Sequence, residues 1–124
     1  MIADDQVINV QILEGFFETL DLEDAISVCY NGQKAFDICK ALIDEAIEEL
    51  GDLHAGCIKP VALCLLDFQM PVKNGIEVVQ AVRQYIKTKG EEYTFLEIEE
   101  PTFVFLTAYK TQVFASYLKS QVVQ

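Results

Sequence analysis

Six consecutive apolar residues, VALCLL at 61–66, stop at Asp67, and no other feature constrains the fold as much. A short unbroken apolar run fits a strand covered on both faces, the kind found in parallel sheets. A second run, TFVFL at 102–106, has the same character and stops at Thr107. The segments between such runs have a helical period instead. Over residues 6–20 the apolar side chains Val10, Leu13, Phe16, Phe17 and Leu20 recur at helical spacing, and Gln11, Glu14 and Glu18 take the other face. Residues 25–29 read as a short strand. Asn31 then reads as the cap of a long helix running to about Leu50, with Phe36, Cys39, Ile43, Ile47 and Leu50 inward and a Lys40–Asp44 pair outside. Residues 51–60 read as a loop that contains His54, a surface residue. A further helix follows Gly75, with Ile76, Val79, Val82 and Ile86 on one side. Residues 87–100 read as a polar, acidic surface stretch, and residues 111–121 close the chain as a helix.

The resulting order is β-α-β-α-β-α-β-α. Strands alternating with helices imply an α/β fold on a parallel sheet, here within one domain of 124 residues. The chain carries 20 acidic against 9 basic side chains, a net charge of -11. That balance argues against nucleic acid or an anionic membrane as a direct partner and suits a cation or a basic protein. No apolar run reaches the ~18 residues of a membrane span. The first ten residues lack the basic flank of a signal peptide. The four cysteines, Cys29, Cys39, Cys57 and Cys64, form no CxxC pair, and three sit in apolar runs. They read as free thiols in a reducing cytosol, without zinc or disulfides.

Polar groups recur at one place in the pattern. Asp4 and Asp5 follow the first strand, Asp67 ends the third and Thr107 ends the fourth. In open parallel sheets the ligand site lies beyond the carboxyl ends of the strands. Carboxylates gathered there repel one another, and a hard divalent cation such as Mg²⁺ relieves the repulsion. A carboxylate is also a nucleophile toward phosphorus, and a threonine hydroxyl can donate to a phosphoryl oxygen.

Three stretches carry a resemblance. LLDFQMPVKNGIEVVQAVR at 65–83 resembles the phosphoacceptor segment of response-regulator receiver domains, the CheY-like family, with Asp67, Met70, Pro71, Asn74 and Gly75 in place. IADDQVIN at 2–9 is similar to the acidic-pair segment of that family, in the style of hybrid histidine kinases. FLTA at 105–108 is similar to its Ser/Thr segment. The resemblance implies a flavodoxin-like three-layer fold with strand order 2-1-3-4, an order carried over from the family and not read from these residues. It implies that Asp67 accepts a phosphoryl group from the phosphohistidine of a histidine kinase or phosphotransfer protein. Asp4, Asp5, Asp67 and the backbone carbonyl of Gln69 would hold Mg²⁺. Thr107 would bind the phosphoryl oxygen, and the small side chain of Ala108 would leave room for it. Gly75 would permit a backbone turn. The setting implied is cytoplasmic, alone or within a membrane-anchored hybrid kinase, and the chain would be a signalling phosphoacceptor and not a turnover enzyme.

The chain departs from the family at its end. The family's fifth strand closes with a Lys that pairs with the phosphoryl group, preceded by an aromatic switch residue. Lys110 is too near Thr107 for that role, and Lys119 falls in the expected last helix. The expectation is therefore a single receiver domain over 1–124, incomplete at both ends, whose fourth strand is an apolar edge open to another copy. The alternative is a receiver-fold interaction module that is not phosphorylated. A metal-dependent phosphatase is a weaker rival, because Asp67-Phe68-Gln69 lacks the second Asp such enzymes place two residues on.

Overall fold

The structure is a computed structural model, and it describes residues 1–50, 56–106 and 120. The described residues form an α/β fold with two parallel sheets and three α-helices. In chain order the elements are β1 (Ile2–Ala3), α1 (Val7–Thr19), a short 3-10 turn (Glu23–Ala25), β2 (Val28–Cys29), α2 (Gly32–Glu49), β3 (Gly56–Ile58), β4 (Leu63–Asp67), α3 (Gly75–Glu92), β5 (Leu96–Ile98) and β6 (Thr102–Leu106). The larger sheet has the order β2-β1-β4-β6, and β3 pairs only with β5. Within the larger sheet, the strands therefore run second, first, third, fourth in chain order. No described helix is long and apolar enough to cross a membrane.

The two long helices start where short polar side chains replace missing backbone partners. Asn31 Oδ1 accepts from the Lys34 amide at 2.8 Å and caps α2. Asn74 caps α3 in a reciprocal box: its side chain accepts from the Glu77 amide, and the Glu77 side chain accepts from the Asn74 amide. Replacing Asn74 by Ala is expected to cost about 1 kcal/mol, read as a lower denaturation midpoint at unchanged m-value. Both helices pack on the sheet. Cys39 of α2, Val78, Val79 and Val82 of α3, and Cys64 and Leu66 of β4 form one core with almost no exposure. Each Leu or Val in such a core adds roughly 1.5–3 kcal/mol of burial.

Several expectations are corrected. Strand β2 is only Val28–Cys29, because Glu23–Ala25 coil into a 3-10 turn just before it. Strand β4 runs Leu63–Asp67 and alternates: Cys64 and Leu66 are buried, Leu63 and Leu65 half-buried. Strand β6 likewise exposes Thr102 and Val104 on one face. On α1 only Val10 is buried, while Phe16 and Leu20, expected inward, are 66% and 63% exposed. The helix is apolar nearly all round at its start, so periodicity alone could not choose the buried face. Lys40 does not pair with Asp44. Asp44 instead accepts a hydrogen bond from the Tyr85 hydroxyl of α3, and the Lys40 ammonium lies over the Tyr85 ring.

The stretches read as a loop and an acidic surface are more ordered than expected. Helix α3 continues to Glu92, and β3 and β5 form a two-stranded parallel arm. In the chain the two arm strands immediately precede β4 and β6, with four residues between β3 and β4 and three between β5 and β6. Its inner side chains, Ile58, Leu96 and Ile98, pack with Ile43, Ile47, Tyr85 and Ile86 in a second, smaller core. His54 and the expected helix over 111–121 lie outside the described residues, apart from Ser120, which is helical. The cysteines are free, with Cys29, Cys39 and Cys64 buried and Cys57 exposed.

Candidate functional site

Parallel register builds the site. Ala3 lies level with Cys29 on one side and Leu66 on the other. The next residues, Asp4 and Asp67, therefore leave adjacent strands at the same height, about 4.8 Å apart in the pairing direction. The structure brings together three carboxylates at this edge: oxygens of Asp4, Asp5 and Asp67 all lie within 4.8 Å of one another.

The three are held differently. Asp4 is buried, at 3% exposure, and its two oxygens accept from the Gln6 amide at 2.8 Å and the Asn9 side chain at 3.1 Å. Those bonds come from the start of α1 and fix the carboxylate in place. Asp5 is exposed and Asp67 half-buried. Asp67 is the perturbed group: its pKa rises from 3.8 to about 6. Burial is the largest cause, and the neighbouring Asp4 charge is the next. A hydrogen bond from the Gln69 backbone N–H works the other way, while the charge of Asp5 and its hydrogen bond with Asp67 raise the value further. Burial and like-charged neighbours both disfavour the ionised carboxylate, and a cation at this edge would offset both.

The loop after Asp67 closes over the first turn of α2. Met70 is nearly buried, and the Pro71 carbonyl accepts from the amides of Gly32 and Lys73. Gly75 donates its amide to the Phe68 carbonyl at 2.9 Å. A Cβ on Gly75 would sit 2.7 Å from the Asp67 carbonyl oxygen and 2.9 Å from the Phe105 ring. So Gly75 is needed for close approach, as a position where a side chain would be forbidden, and not for a positive φ, which no glycine among the described residues has. Val72 does have one, at 71°, an unfavourable conformation for a β-branched residue. Two residues of this loop region escaped the sequence reading. Gly32 sits against the Lys73 backbone, and Val72 carries the strain. Neither has a local signal, since each is defined by what it meets in three dimensions.

Strand β6 ends one residue before Thr107, with Leu106 level with Asp67. Thr107 and Ala108 themselves lie outside the described residues. Gln69 is placed beside Asp67 by its amide. No family model matches the chain, and a comparison with curated proteins found no match.

Proposed function

We propose that the chain is a receiver domain of a two-component phosphorelay, of flavodoxin-like, CheY-like fold, and that Asp67 is its phosphoacceptor. The observation that carries the reading is the convergence of Asp4, Asp5 and Asp67 at the carboxyl ends of two adjacent parallel strands. The sheet order is compatible with that fold. The partner is a histidine kinase or a histidine phosphotransfer protein in a cytoplasmic setting. Strand β6 has one strand neighbour among the described residues, and pairing along its free side with a second copy is the route to a homodimer.

The donor set fits Mg²⁺: three carboxylate oxygens lie within reach of one another, and the pKa of the Asp67 carboxyl is raised first by burial and then by the charges of Asp4 and Asp5. Asp4, Asp5, Asp67 and the Gln69 carbonyl are the proposed ligands. When bound, Mg²⁺ supplies positive charge that offsets repulsion between the attacking carboxylate and the phosphoryl oxygens. The chain's own residues do the positioning. Asp4, pinned by Gln6 and Asn9, keeps its carboxylate facing Asp67. Gln69 orients the Asp67 carboxylate through its amide. An ionised Asp67 oxygen attacks phosphorus, the P–N bond of the donor phosphohistidine breaks, and the electron pair leaves on the imidazole, which takes up a proton. Thr107 is proposed to donate to a phosphoryl oxygen, with Ala108 leaving it room.

Acetyl phosphate with Mg²⁺ tests the reading without a partner kinase. The wild-type chain is expected to gain one phosphoryl group by intact mass, and Asp67→Asn none. An unmodified wild-type protein of native circular dichroism would overturn the reading in favour of the unphosphorylated interaction module. So would an adduct that persists in Asp67→Asn.

A further inference from the structure

The arm formed by β3 and β5 takes no part in the proposed phosphoryl chemistry, yet it has a small core of its own. Isolated pairs of strands are marginal in water. This one is held because Ile58, Leu96 and Ile98 anchor it on α2 and α3. Its opposite face points outward, with Cys57 level with Glu97 and the Cys57 thiol donating to Glu99 at 3.3 Å. Each strand of the arm has one strand neighbour among the described residues.

Ladder parity shows which backbone groups are left over. The Gly56 amide donates to the Phe95 carbonyl, and the Glu99 amide donates to the Ile58 carbonyl. In a parallel ladder that phase turns both backbone groups of Glu97 toward β3 and both backbone groups of Ile98 to the side that has no strand among the described residues. An edge of this kind is a template for another strand. The side chains around it select the occupant. Residues 90–100 carry Glu91, Glu92, Glu97, Glu99 and Glu100 and no basic residue. Of these, Glu100 is tied to Arg83 and Glu92 to Lys89, whereas Glu97 and Glu99 face outward with no cation paired to them among the described residues. Two aromatics flank the entry to β5, Phe95 at 76% exposure and Tyr93 at 38%. A second copy of the chain would set glutamate beside glutamate, which opposes self-pairing.

We infer that the open edge of β5 is a docking site for a basic, extended protein segment that adds a third strand to the arm. Its apolar residues would alternate onto the face shared with Leu96 and Ile98. Its Arg or Lys residues would lie on the face of Glu97 and Glu99, within reach of the Phe95 and Tyr93 rings. The inference stands apart from the phosphoryl-acceptor reading and does not fail with it.

The test uses the full chain and a capped eight-residue peptide of alternating Val and Arg at low salt. Binding by a strongly acidic protein is not enough, so the readout is amide hydrogen exchange resolved by residue. The Ile98 amide is expected to slow by roughly tenfold or more at saturation, as a newly paired edge amide does. Reversing both exposed charges, Glu97→Lys with Glu99→Lys, is expected to abolish that protection while leaving the native spectrum intact. A matched Val/Glu peptide is expected to give none. Unchanged Ile98 exchange at a peptide concentration that saturates other shifts would overturn the inference. So would equal protection in the charge-reversed variant.

Discussion

Gly32→Ala is expected to destabilise the protein by about 3 kcal/mol or more, and to lower its melting temperature by roughly 10 °C. The cause is a contact between backbones. Gly32 opens α2 and donates its amide to the Pro71 carbonyl at 3.2 Å. A Cβ there would overlap the Lys73 carbonyl oxygen and come within 2.6 Å of both the Lys73 carbonyl carbon and its Cβ. No rotamer change relieves this, because the obstructing carbonyl is main chain and the Lys73 Cβ is fixed to the backbone. Either α2 or the segment between Pro71 and Asn74 must move. That segment lies on the loop that follows Asp67 and is held on its other side by Gly75, which also has little room. Loss of stability and displacement of the acidic edge are therefore expected together. Gly15→Ala and Gly90→Ala supply the control. Both positions are helical, and a Cβ at either meets nothing within 4 Å. Each is expected to stabilise the protein by about 0.5–1 kcal/mol through helix propensity. Thermal melts of the three variants, alike in chemistry and opposite in sign, check the argument. A Gly32→Ala midpoint within a degree or two of wild type would contradict it.

The acidic edge was legible because strand ends are legible. Six apolar residues halted by Asp67 mark a terminus, and a parallel sheet places such termini side by side, so Asp4, Asp5 and Asp67 could be gathered without coordinates. The Asn31 cap was equally readable, since a helical period starts at once after it, whereas the Asn74 cap of α3 emerges only in the structure. The arm was not. Gly56–Ile58 and Leu96–Ile98 are three residues each, too short for a period of two to declare itself, and they pair across the whole of α3. Gly32 was missed for the same reason: the group that forbids a side chain lies 41 positions away, at Lys73. The buried face of α1 was misjudged because Val7, Ile8, Ile12 and Phe16, all exposed, are as apolar as the buried Val10. Local pattern shows where chemistry can be held. Contacts between distant segments decide which residues have no freedom to change.

Asp67→Asn is expected to stabilise the metal-free protein at neutral pH, the reverse of what loss of a functional residue usually does to a fold. The folded chain holds the Asp67 proton up to about pH 6, whereas the unfolded chain releases it near 3.8. Stability linked to that proton is full below the lower value and is lost as pH rises through the higher one. Metal-free wild type should therefore lose stability between about pH 4 and 7 relative to Asp67→Asn, and above pH 7 the gap should be constant. Allowing for solvent screening of a half-buried group, the gap is about 1–2 kcal/mol. Taking the difference between the two proteins cancels the carboxylates remote from Asp67, which behave alike in both. Millimolar Mg²⁺ should then close the gap from the wild-type side alone, because binding to the folded state adds RT ln(1 + [Mg²⁺]/Kd), about 1.4 kcal/mol at ten times Kd. The measurement is a set of urea midpoints at several pH values for both proteins, with and without Mg²⁺. Parallel curves at every pH would show that Asp67 carries no excess negative charge from its neighbours. A Mg²⁺ response equal in the two proteins would place the cation elsewhere. Convergence only when Mg²⁺ is present would tie the electrostatic cost of the three carboxylates to the cation proposed to share them.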